Sequence, residues 1–146
     1  MRTPASIAGH PIHPMLITFP VGLLIFSLIC DLCSMRSAEP ATWALVAFYT
    51  MVGGFVGALA AAIPGLIDLL SLSDPGIKKT AITHMSINLV AVALYAINIW
   101  LRYKSGTNVG TPIVLSVIGV AMLAVSGWLG GKMVHLAGVG VDVTPR

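Results

Sequence analysis

The sequence predicts an all-α fold, four transmembrane helices in an antiparallel up-down bundle, as a single domain over residues 1–146. Three observations predict it. Hydrophobic residues make up 57% of the chain and charged ones only 9%, where a soluble domain carries about a quarter charged side chains. Mean hydropathy is +0.95. Four apolar runs are each long enough for a bilayer crossing, which takes roughly 20 helical residues, and the links between them are short and polar, which forces neighbouring helices antiparallel. Eight basic and five acidic side chains leave a charge of +3 with no basic cluster that could follow a phosphate backbone, so nucleic acid is set aside as a partner.

The first span covers residues 15–33. It begins behind the polar stretch "GHPIHP", no A-x-A-like cleavage site follows it, and Ile29 before Cys30 is a poor lipoprotein processing site. It therefore reads as a retained span rather than a signal peptide. Pro14 suits a first helical turn and fixes the chain just after His13. Pro20 removes a helical hydrogen bond and predicts a kink that makes room at the histidine end, or a kink simply tolerated in a packed bundle. Cys30 and Cys33 form a lone C-x-x-C, a spacing known from redox and metal sites. The nearer, Cys30, lies 17 residues from His13, about 26 Å along a helix, and no histidine follows for covalent haem attachment. They read as small apolar residues of the span.

The second span covers residues 42–66 and extends toward 70. Gly53, Gly57, Ala61 and Gly65 recur every four residues, a spacing that lets helix backbones approach closely where no hydrophobic force drives association. Pro64 predicts a second kink. Asp68, just beyond, is a candidate for holding a histidine tautomer or passing protons, with a hydrated helix end as the plain alternative.

The third span, 81–101, carries a polar stripe. At 100° per residue His84, Asn88, Tyr95, Asn98 and Arg102 fall within a narrow arc, and such a stripe faces protein or a wet cavity. Asn88, one turn from His84, is placed to orient that ring or to contact a cofactor. Interhelical hydrogen bonding, at ~0.6 kcal/mol per bond, accounts for the stripe equally well. The fourth span, 111–131, ends with Gly127 and Gly131 at the same close-packing spacing.

Antiparallel topology brings the start of the first helix, the end of the second, the start of the third and the end of the fourth to one membrane face. His10, His13, Asp68, His84 and His135 all lie there, so every histidine in the chain gathers on one side. Arg2, Lys78, Lys79, Lys132 and Arg146 share that face, against Arg36, Arg102 and Lys104 on the other. The excess favours a cytoplasmic histidine face, with both termini on it. Trp43, Trp100 and Tyr103 fit an aromatic belt at the opposite interface.

Isolated histidines at helix ends need only water and headgroups. Converging ones beside a carboxylate point to ligation, since neutral imidazole suits iron, copper and zinc. A four-helix bundle with two histidines at equal depth is a natural holder for haem b. His13 and His84 meet that requirement as axial ligands, with His10 and His135 as weaker candidates and Lys78, Lys79 or Arg2 available to the propionates. The expected function is electron transfer in the membrane with a quinone or a redox protein as partner, in a homodimer surrounded by lipid. Two alternatives remain: a copper- or zinc-binding protein or transporter using the same histidines, and a cofactor-free structural or assembly subunit.

The stretches "GHPIHPMLITFPVGLL" and "AAIPGLIDLLSL", the His84–Asn88 pair, "GWLGG" and "GVGV" resemble the bacterial transmembrane family catalogued as domain of unknown function 2231. The resemblance covers almost the whole chain and implies a multi-pass protein of the bacterial inner membrane. Some relatives accompany Rieske-type iron–sulfur domains, which implies membrane electron transfer. His10, His13, Pro64, Gly65, Asp68, His84 and Asn88 match the family pattern. The C-terminal stretch departs from it. Where the family often reads Val-Tyr-x-His-Gly-Val-Gly-Val, "VHLAGVGV" places Ala137 at the histidine and His135 at the tyrosine. That leaves His10, His13 and His84 as the core set.

Overall fold

A computed structural model describes residues 3–105 and 111–141. Arg2, Arg146 and the link between the last two helices, residues 106–110, lie outside the described residues. Four helices carry the fold: α1 (Ile12–Ser34), α2 (Pro40–Ser71), α3 (Pro75–Ser105) and α4 (Thr111–His135). All are long and apolar enough to cross a membrane. Each extends past its apolar run into polar flanking residues. Pro40 opens α2 at a first helical position, where a missing N–H costs little. Ahead of α3, the Asp74 carboxylate accepts the Ile77 N–H at 2.8 Å, an N-cap that satisfies one of the orphan donors of the first turn.

A short antiparallel hairpin precedes α1: β1 (Ser6–Ile7) pairs with β2 (His10–Pro11). Its two turn residues, Ala8 at φ 50° and Gly9 at φ 81°, have the positive dihedrals of a type I′ turn. This segment crosses the histidine end of the bundle. The Ala5 N–H donates to the Asp68 carboxylate at 3.0 Å, and the backbone at Gly140 lies against Pro11 from the opposite terminus.

α1 packs chiefly on α2 and α3 chiefly on α4, and the α2–α3 and α1–α4 faces close the bundle. The glycine stripe of α2 is used within the chain: Gly53 faces Leu23, Gly54 faces Leu24, Gly57 meets Phe19 and Pro20, and Gly65 lies against His13. Gly127 and Gly131 of α4 face open space. The histidine end is closed rather than splayed, by a cluster of Leu69, Leu72 and Ala81 with Ile77, Met85, Met133 and Val139. Trp100 and Tyr103 are exposed on the lipid side toward the opposite end of α3.

The two helical hairpins repeat one another. His13 and His84 are 71 positions apart, as are Leu24 and Tyr95, and Asp31 and Arg102. On the second helices the spacing is 65: Gly54 receives Leu24 as Gly119 receives Tyr95, and Gly65 receives His13 as Gly130 receives His84. The α1–α2 pair therefore corresponds to the α3–α4 pair at these close approaches, around an axis along the bundle.

Candidate functional site

Two polar layers occupy that axis, each joining α1 to α3. His13 and Asp31 are 18 residues apart on α1, and His84 and Arg102 are 18 apart on α3. Eighteen residues make five turns of 3.6, so each pair shares one helix face about 27 Å apart.

In the first layer the His13 and His84 rings stand 6.3 Å apart between centroids, with planes at 89°. Each imidazole is held by the second helix of its own hairpin. Nδ1–H of His13 donates to the Ala61 carbonyl at 2.8 Å. That carbonyl is next to the Ala60 carbonyl, whose helical donor is missing because Pro64 has no N–H. The approach needs glycine at 65, because a Cβ there would stand 2.8 Å from His13 Nδ1. Nδ1–H of His84 donates to the Ser126 carbonyl at 2.8 Å, with the Ser126 hydroxyl oxygen 2.9 Å away. That hydroxyl donates to Asn88 Oδ1 at 2.8 Å, and the Asn88 amide donates to His84 Nε2 at 3.0 Å. His84, Ser126 and Asn88 thus form a closed ring of hydrogen bonds. Backbone acceptors at both Nδ1 positions fix both imidazoles in the Nδ1–H tautomer, which leaves Nε2 as the basic nitrogen, the usual setting of a ligating histidine.

The remaining residues singled out from the sequence lie around this pair. His10 sits exposed in β2, and His135 is exposed at the end of α4. Asp68 is engaged by Ala5 and so anchors the N-terminal segment over the site. Thr3, also in that segment, is buried, its hydroxyl without a partner among the described residues.

The second layer is an ion pair. Arg102 donates from both terminal nitrogens to the two carboxylate oxygens of Asp31, at 2.6 Å each, and neither side chain is exposed. Its Nε–H donates to Asn98 Oδ1 at 2.9 Å, and the Asn98 amide donates to the Ser116 hydroxyl at 2.9 Å. Ionisable groups inside a membrane are costly and survive by pairing, and here the fork-shaped guanidinium matches the carboxylate in a bidentate bond. Between the layers Tyr95 packs against Gly119, its buried hydroxyl without a partner among the described residues. The stripe on α3 therefore faces protein from end to end.

Asp31 went unnoticed in the sequence because it sits inside "CDLC", where the cysteines draw the eye. Its signal was the shared 18-residue spacing to a histidine on two helices. Ser116, Ser126 and the Ala61 carbonyl carry no sequence signal of their own, since small residues on a span read as packing.

Fold and site together define a four-helix integral membrane protein with a paired-imidazole layer near one end and a buried ion pair near the other. The chain belongs to the family described as predicted membrane protein, domain of unknown function 2231, whose profile matches residues 9–143. No curated protein and no solved structure matches it.

Proposed function

We propose that this protein is an electron carrier of the bacterial inner membrane that holds haem b between His13 and His84. The observation that carries the reading is the geometry of the two rings. Two imidazole nitrogens each about 2 Å from one metal ion put their ring centroids roughly 6 Å apart, and these rings are 6.3 Å apart with near-perpendicular planes. The donor count favours haem over a bare ion. Among the described residues no group of three or more His, Cys, Asp or Glu could hold a metal, whereas zinc takes at least three protein ligands and haem iron, already bound by its macrocycle, takes two axial ones.

Bound haem would supply one-electron redox chemistry. The chain's own residues supply the rest. Ala61 and Ser126 fix the tautomer of each ligand, and Gly65 and Gly130 admit the rings against the second helices. The segment 3–11, pinned by Asp68, separates the layer from the aqueous face. Lys78 and Lys79, at the start of α3, are placed to meet the propionates at the interface. Lys78, Lys79 and Lys132 against Arg36 and Lys104 favour a cytoplasmic histidine face, because Arg102 is consumed by Asp31. A quinone or a redox protein is the electron partner in this reading, and the open Gly127–Gly131 face of α4 is where a second copy packs.

The test is the optical spectrum of detergent-purified protein, oxidised and dithionite-reduced. A Soret band with sharp reduced α and β bands is expected, the sharp bands disappearing in both His13→Ala and His84→Ala. No Soret band after haem supplementation overturns the reading, and bound copper or zinc in such a sample would favour an ion site instead.

A further inference from the structure

The start of α3 and the end of α4 enclose a hollow of about 280 Å³ at the histidine end of the bundle, with Asp74, Ile77, Lys132, Met133 and Leu136 in its lining. Its floor is apolar, because Ile77 and Met133 also pack on the cluster of Leu69, Leu72 and Ala81. Its two charges are opposite and do not meet. Among the described residues the only ion pair is that of Asp31 with Arg102. Asp74 uses Oδ1 to accept the Ile77 N–H, while its Oδ2 and the Lys132 ammonium have no partner among the described residues.

The two charges also differ in depth. Gly130 lies against His84, so in this antiparallel pair Lys132 is level with Ile82. Asp74 lies eight residues further out, about 12 Å along the helix, and the outward reach of the lysine stem shortens that gap. One turn deeper than Lys132 on the same face of α4, Trp128 is 78% exposed, the placement of an interfacial aromatic anchor. From the membrane outward this face therefore carries an indole, a cation and a carboxylate in that order.

We propose that the hollow binds the headgroup of a phospholipid with a primary ammonium beyond its phosphate, a phosphatidylethanolamine, drawn from the surrounding bilayer. In such a lipid the phosphate adjoins the glycerol and the ammonium lies one ethylene link further out, the same order as Lys132 and Asp74. Lys132 Nζ donates to the phosphate, as basic side chains between membrane helices do for lipid headgroups. The lipid ammonium donates to Asp74 Oδ2. The acyl chains run inward past Trp128 and the exposed Val125. Phosphatidylglycerol would leave the carboxylate facing only another negative charge, and the quaternary ammonium of phosphatidylcholine has no N–H to donate to it. The site involves neither His13 nor His84 and is independent of haem.

The test titrates delipidated, detergent-purified protein with phosphatidylethanolamine, phosphatidylglycerol or phosphatidylcholine of matched acyl chains and reads bound lipid by native mass spectrometry. The wild type is expected to prefer phosphatidylethanolamine about tenfold over each of the others, the scale of one hydrogen bond to a charged group. Asp74→Asn keeps an oxygen to accept the Ile77 N–H but removes the charge, and should lose the preference over phosphatidylglycerol. Lys132→Gln should weaken all three lipids alike, because each carries the phosphate. Preference is compared among lipids on one sample, so a partly unfolded variant does not imitate its loss. Equal wild-type affinities, or a preference that survives Asp74→Asn, overturn the proposal. So does displacement of the bound lipid by an equal concentration of water-soluble phosphoethanolamine, which would assign the hollow to a free solute.

Discussion

Arg102 and Asp31 meet inside the helix bundle as a two-pronged ion pair at 2.6 Å per contact, with no exposed atom in either side chain. Such a pair is asymmetric in what it contributes. Removing one partner strands the other charge in a low-dielectric interior at about 3–5 kcal/mol, while replacing both with apolar residues of similar volume is often neutral. Asp31→Ala and Arg102→Leu should therefore each destabilise the bundle strongly in a detergent unfolding titration. The double variant Asp31→Leu/Arg102→Met should recover most of the loss. Strictly additive losses would show that the pair does not act as a unit.

Tyr95 presents the opposite case. Its hydroxyl is buried with no partner among the described residues, and an unsatisfied buried polar group costs about 1–3 kcal/mol. Tyr95→Phe is expected to leave thermal stability unchanged or to raise it. A clear loss would mean that the hydroxyl has an ordered water as partner.

The glycines divide by what faces them. A Cβ at Gly54 would stand 2.6 Å from Leu24, and one at Gly119 would stand 2.7 Å from Tyr95. Gly54→Ala and Gly119→Ala should each cost about 1–3 kcal/mol through overpacking. Gly127→Ala and Gly131→Ala meet nothing within 4 Å in the chain itself, so each should leave the fold of a single chain within roughly 0.5 kcal/mol of wild type. A large effect at Gly127 or Gly131 would reveal a second copy packed on that face.

Gly65 tests the imidazole layer without touching either histidine. The Cβ of Gly65→Ala would displace His13, whereas that of Gly130→Ala would lie 3.4 Å from His84 Cε1. On the proposed haem reading, the optical spectrum should therefore be perturbed far more by the first substitution than by the second. Equal spectra would place the ligand elsewhere.

Asp68 should control the N-terminal strap. Asp68→Ala removes the acceptor of the Ala5 N–H, and amide exchange over residues 3–11 should rise by about tenfold, the scale of one hydrogen bond. Asp68→Asn keeps an acceptor oxygen and should retain most of the protection. Unchanged exchange in the alanine variant would show that Pro11 and the C-terminal glycines hold the strap unaided.

The spans were legible because hydropathy and length act locally, and so was the gathering of the histidines, which follows from counting antiparallel crossings. The inward stripe of α3 was legible from its 3.6-residue period. The partners of those residues were not. His13 bonds to a backbone carbonyl 48 positions away, and a carbonyl is invisible in sequence. Asp68 offered a carboxylate near histidines, but the chain folds an unsuspected hairpin back across the bundle and its backbone N–H reaches that carboxylate. Ala8 at positive φ hides this turn, since the sequence advertises it only through Gly9.

The correspondence between the two hairpins bears on how such a membrane protein could arise. Two identical hairpins associated about a two-fold axis place every residue near that axis opposite its own copy, because a symmetric interface is self-complementary. An aspartate there would meet an aspartate, and an arginine an arginine. Histidine tolerates this doubling, and both halves of the chain have one at that level. The layer of Asp31 and Arg102 does not, and the opposite charges it needs are available here because the two hairpins carry different residues at corresponding positions of one polypeptide. The salt bridge thus stands where exact two-fold symmetry would set like charges face to face.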